Sequence, residues 1–71
     1  MMEGVIGEAA GQMWHQLHAQ GARSLPQLQQ GTGLSERLLH MGVGWLARES
    51  KIVFLQERGV LKVEVPPVRQ D

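Results

Sequence analysis

GLSERLLHMGVGWLARE, from Gly33 to Glu49, is the stretch around which the chain is organised. It reads as one helix. Ser35 stands where a side-chain oxygen can accept from a free backbone N–H of the first turn. Glu36 lies in that first turn and Arg48 in the last, each at the end of the helix dipole that favours its sign. At about 100° per residue, Leu34, Leu38, Leu39, Met41, Val43, Trp45 and Leu46 fall within roughly half the circumference. Glu36, Arg37, His40, Gly44, Ala47 and Arg48 share the remaining arc, which is predicted to face water and to be where a partner would be read.

Upstream, Gly31-Thr32-Gly33 supplies a turn, and Gln27 to Gln30 with Leu25 and Leu28 inward supplies a short second helix. Pro26 suits the first helical position, where its missing N–H is not needed. A short helix, a Gly-containing turn and a longer amphipathic helix describe a helix-turn-helix unit. Arg23-Ser24-Leu25 before it is short enough to be an edge strand. From Gly4 to Gln20, Ile6, Ala9/Ala10, Met13/Trp14 and Leu17 recur at helical spacing, with Gln12, His15, Gln16 and Ala19 on the other side and Gly21 as the stop. Gly11 is unfavourable there by about 1 kcal/mol relative to Ala, which suggests a close-packing position. Met1 to Glu3 reads as a loose end.

After Glu49 the apolar period changes from 3.6 to 2. Lys51 to Leu55 and Val60 to Val65 are β-rich, and Gln56-Glu57-Arg58-Gly59 separates them, with Gly59 able to take the positive φ of a short hairpin loop. Pro66-Pro67 ends the second strand, because neither residue can donate to the ladder. Val68 to Asp71 is a tail. Helix, short edge strand, helix, turn, helix and C-terminal β-hairpin is the order of an α+β winged helix-turn-helix, here one domain spanning 1–71.

Thr32-Gly33-Leu34, Gly44-Trp45-Leu46-Ala47-Arg48-Glu49, Lys51-Ile52-Val53-Phe54, the opening Ile6-Gly7-Glu8-Ala9-Ala10-Gly11 and the position of Trp14 carry a further likeness. With these the chain resembles the small, stand-alone winged helix-turn-helix domain family of bacteria and archaea whose function is uncharacterised. The resemblance runs from Val5 to Val65 and is most specific at GWLARE. It implies a fold and a DNA-binding-like shape, and it brings no catalytic or cofactor residues. Pro26, Gly31 and Gly42 depart from it where better helix formers are usual. Val53, Leu55 and Val60 depart from it where hairpin positions tend to be polar.

Composition narrows the function classes. The chain has 71 residues, no cysteine, and seven basic against seven acidic residues. Without cysteine there are no disulfides, thiolate metal sites or thiol nucleophiles, which fits a reducing cytosol and a cytoplasmic protein. The longest apolar run, Ile52 to Leu55, is too short for a membrane span or signal peptide. The only Asp is Asp71, and no nucleophile motif, carboxylate pair or phosphate loop is present, so neither an enzyme, a cofactor nor a small-molecule substrate is expected. His15 and His18 lack a third ligand at a recognisable spacing, so they read as surface histidines and no metal site is expected.

Two candidate surfaces remain. For double-stranded DNA the candidates are Glu36, Arg37, His40, Gly44 and Arg48 on the helix arc, with Lys51 at the strand start and Arg58 at the wing tip. The second helix of a helix-turn-helix enters the major groove. There Arg37 could fork onto guanine, Gly44 would allow close approach, and Lys51 and Arg58 would meet phosphate. Balanced charge opposes this reading, as do Glu36, Glu49 and Glu57 among the cations. The alternative is a plain solvated helix face. For protein partners the candidates are Val53, Leu55 and Val60, predicted to point outward while Ile52, Phe54, Leu61 and Val63 point inward. Apolar residues on an outer hairpin face suggest a homodimer or another protein contact, unless the N-terminus or the Pro66-Pro67 segment folds over them. Trp14 and Trp45 are expected as core anchors, each worth roughly 3–5 kcal/mol on truncation.

Overall fold

The computed structural model describes residues 1–67. The order is α1 (Met2–Gln20), β1 (Arg23–Ser24), α2 (Leu25–Thr32), α3 (Glu36–Arg48), β2 (Val53–Glu57) and β3 (Val60–Glu64). The strands form one antiparallel sheet in the order β1-β3-β2, with Arg23 opposite Val63 and Phe54 also opposite Val63 on the other side. Three helices, a short edge strand and a wing hairpin are therefore all present.

Local chemistry sets most boundaries. α1 begins at Met2, so residues 1–3 are not a loose end; the first free N–H groups find the Met1 carbonyl, which accepts from Gly4 and Val5. β1 is shorter than expected and α2 longer, because Ser24 caps the helix: its Oγ accepts from the Gln27 N–H while Gln27 Oε1 accepts from the Ser24 N–H. That reciprocal capping box satisfies two helix-end donors at once. Leu25 is consequently helical, and α2 runs on through Gly31 and Thr32 to Gly33, whose left-handed φ of 71° ends it. Ser35 caps α3 as expected, accepting from the Leu38 N–H.

The C-terminus of α3 is unusual. The Ser50 N–H donates to the Ala47 carbonyl and the Lys51 N–H to the Leu46 carbonyl, the pair of bonds that closes a Schellman motif. Its left-handed position, normally glycine, is held by Ser50 at φ 57°. Removing that Cβ relieves the strain, so Ser50→Gly is expected to raise stability by about 1 kcal/mol. For a domain of this size that is a rise in melting temperature of roughly 4–8 °C. An unchanged or lowered melting temperature by circular dichroism would contradict it.

The core joins Ala10, Met13 and Leu17 of α1, Leu28 of α2, Leu39, Val43 and Leu46 of α3, and Ile52 and Val63 of the wing. Three apolar expectations are corrected by how the elements cross. Trp45 is 39% exposed and Met41 is also exposed, whereas Gly42 is buried. α3 therefore meets α1 along the Leu39-Gly42-Val43-Leu46 line, which leaves Trp45 on the rim. Trp14 is half-buried against the core, so neither tryptophan is a fully enclosed anchor. Gly11 has open space where a Cβ would stand; the close-packing glycine is Gly42, over Met13 and Ala10.

On the wing, Phe54 and Leu61 are 50% and 44% exposed. They do lie on the same face as Val63, but the helices cover that face only around Ile52, Val63 and Val65. The loop is also tighter than expected: Glu57 pairs with Val60, leaving Arg58-Gly59 as a two-residue turn with φ of 53° and 80°. Positive φ at both positions matches the right-handed twist of the flanking strands. The expected tail, Val68 to Asp71, lies outside the described residues.

Candidate nucleic-acid interface

α3 is presented by the turn before it. Thr32 Oγ1 donates to the Leu28 carbonyl at 2.7 Å and accepts from the Leu34 N–H at 3.3 Å, joining the last turn of α2 to the loop. Ser24, Gln27 and Thr32 are thus the residues that orient the helix-turn-helix. The spacing Ser24-Leu-Pro-Gln27 is a readable capping-box signal, and Ser24 serves both as the last residue of β1 and as the cap of α2. Thr32 carried no such signal, because its role depends on where the turn places Leu34.

From that start α3 displays Glu36, Arg37, His40, Gly44 and Arg48, all exposed, at spacings of three and four that make one ridge. Ala47 leaves the arc and packs against the core. Gly44 has nothing within 4 Å of the place a Cβ would occupy, so no contact among the described residues requires a glycine there. Arg58 is exposed on a separate element, the tip of the wing.

Lys51 is exposed but does not extend the ridge. The left-handed Ser50 turns the chain, and Lys51 comes to line a groove of about 210 Å³ between α1 and α3 with Gly11, Trp14, His15 and Trp45. His15 and His18 pack on Trp14, edge-on at 5.8 Å and stacked at 4.9 Å between ring centroids.

Charges on the ridge have no ion-pair partner among the described residues; the one ion pair there joins Lys62 Nζ to Glu57 Oε1 at 2.8 Å on the wing. That hydrogen bond and the lysine's charge hold the Glu57 carboxyl below its ordinary value. Glu57 is thereby occupied, while Glu36 and Glu49 remain as anions at the two ends of the ridge. Val53 and Val60 are exposed and Leu55 is half-buried on the outer face of the wing, where Val53 stands opposite Glu64, Leu55 opposite Lys62 and Glu57 opposite Val60. Nothing among the described residues folds over that face completely.

Comparison with known proteins agrees with this fold. The family described as winged helix-turn-helix domain (DUF2582) matches residues 1–65. An uncharacterised protein of Methanocaldococcus jannaschii, MJ1608, is 41% identical over 59 residues, covering 79% of this chain and 83% of its own. The solution NMR structure of protein BT2368 from Bacteroides thetaiotaomicron superposes with a TM-score of 0.82 at 34% identity, over 92% of this chain and 79% of that one.

Proposed function

Since this chain belongs to the winged helix-turn-helix domain family DUF2582, we propose that it is a DNA-binding domain acting in transcriptional regulation. In this reading the α3 ridge enters the major groove and the wing tip meets the backbone. The observation that carries it is the ridge itself: Arg37, His40, Gly44 and Arg48 are exposed together, and neither arginine has an ion-pair partner among the described residues. Gly44 costs the helix about 1 kcal/mol relative to Ala, without serving any contact among the described residues, which favours a surface another molecule approaches closely. Arg37, nearest the N-terminus of α3, is the candidate for a base edge and Arg48 and Arg58 for phosphate. The reading requires no catalytic residue or cofactor.

Zero net charge makes the binding modest. With Arg37, Arg48, Arg58 and at most Lys51 engaged, affinity for mixed-sequence duplex should fall with salt at a log–log slope no steeper than about −4. The double variant Arg37→Glu/Arg48→Glu is expected to weaken binding at least tenfold at about 50 mM salt, with an unchanged melting temperature. An NMR titration checks the surface: α3 amides from Glu36 to Gly44 should move. Flat titrations at that salt would end the reading. They would instead favour the second reading, a protein-interaction module, which rests on the exposed Val53, Phe54, Val60 and Leu61 of the wing. No helix among the described residues is long and apolar enough to cross a membrane, and a cytoplasmic location is proposed with the DNA reading.

A further inference from the structure

One edge of the wing sheet lies open. β2 is the outer strand of the sheet and has no neighbour on its far side among the described residues. Edge strands are ordinarily protected by lysine, proline, a bulge or very short length. β2 has no lysine, proline or bulge, and its single charge, Glu57, sits at the hairpin end paired with Lys62; the strand is Val-Phe-Leu-Gln-Glu, five residues in unbroken register with β3. The other edge, β1, is only two residues long and carries Arg23.

The two-residue turn fixes which groups the open edge offers. Glu57 and Val60 close that turn as a hydrogen-bonded pair, and such pairs alternate along an antiparallel ladder. Val53, Leu55 and Glu57 therefore direct N–H and C=O toward β3. Phe54 and Gln56 direct theirs away from the sheet.

We infer that two copies of this chain associate through β2, antiparallel and centred on Leu55, to make one continuous six-stranded sheet. In that register Phe54 faces Gln56 of the second copy and Gln56 faces its Phe54, so the four outward N–H and C=O pairs complete four hydrogen bonds. Leu55 meets Leu55 at the twofold as a non-hydrogen-bonded pair, the arrangement that brings side chains closest. Val53 falls opposite Glu57, so no like charges stand opposite one another across the new junction. Leu55 and Val53 of both copies then form an apolar strip on the outer face, and the two Phe54 rings become diagonal neighbours on the inner one. This accounts for apolar residues at positions where a solvated hairpin would carry polar ones. The occupant is a second copy because the strand complements itself in this register, and a twofold closes the contact after one pairing. The inference does not depend on DNA binding. None of the ridge residues of α3 lies in β2.

The junction is small beside a standard interface of roughly 1,600 Å², so association should depend on concentration. Sedimentation equilibrium of the wild type should show a mass rising from 7.9 kDa toward twice that value as concentration increases. Gln56→Pro removes an N–H that points off the edge and leaves the β2–β3 ladder intact. It should weaken dimerisation at least tenfold while the circular dichroism spectrum and melting temperature of the monomer are kept. Leu55→Glu places two anions opposite each other at the twofold while facing Lys62 within its own hairpin, and should do the same by a different route. A wild type that stays at 7.9 kDa throughout overturns the inference. So does a folded Gln56→Pro that associates like wild type, which would mean packing through the hairpin face. If Gln56→Pro fails to fold, Leu55→Glu decides: undiminished dimerisation overturns the edge pairing, and its loss with the monomer's melting temperature kept supports it.

Discussion

Leu28→Ala should come close to unfolding the protein. Leu28 is completely enclosed and is the one fully buried side chain of α2, so the helix is tied to α1, α3 and β3 chiefly through it. Truncating a buried leucine removes its transfer free energy and leaves a cavity, which together cost about 2–5 kcal/mol. A domain of this length has a total stability of only roughly 4–11 kcal/mol. The urea midpoint should therefore fall by a third or more with little change in slope. Trp45→Ala should move it much less, because Trp45 sits 39% exposed on the rim. If the two variants have equal midpoints, the assignment of Leu28 as the anchor of α2 is wrong. The functional consequence follows from the same contact. α2 carries the Thr32 bonds that hold the turn into α3, so loosening it also frees the ridge that would read DNA.

Two glycines of α3, two residues apart, should differ in how large a side chain they tolerate. A Cβ on Gly42 would run into the Met13 methyl and come to 3.4 Å from the Ala10 backbone nitrogen. That methyl is the far end of a flexible side chain, so although Met13 is wholly buried it can turn aside for one added carbon. Gly42→Ala should be close to neutral, the helix-propensity gain of about 1 kcal/mol offsetting the displacement of one flexible methyl. Gly42→Leu has no such escape and must separate α1 from α3, costing about 3 kcal/mol or more. Gly44→Ala, with nothing within 4 Å, should instead gain up to about 1 kcal/mol. Thermal melts of the three variants check the order. A Gly42→Leu protein as stable as wild type would show that the helices do not cross at that point.

These two cases show where reading the residues works and where it stops. The caps at Ser35, the positive φ at Gly59 and the change of apolar period after Glu49 are local matters of backbone hydrogen bonding and sterics. The chain's order of helices and strands was therefore legible, and so was the α3 ridge of Glu36, Arg37, His40, Gly44 and Arg48. Periodicity assigned Trp45 and Met41 to the apolar half of α3 because it weighs side chains and takes no account of where α1 crosses. It passed over Gly42 for the same reason, since glycine contributes nothing to an apolar stripe and everything to a close approach.

What the sequence by itself determined is the set of elements, their order and the polar side of α3, because each depends on neighbours within a few residues. Only the tertiary structure decided which apolar positions are covered. Burial of Gly42, exposure of Trp45, Phe54 and Leu61, the swing of Lys51 away from the ridge and the open edge of β2 all depend on which segments distant in the chain come to lie against one another.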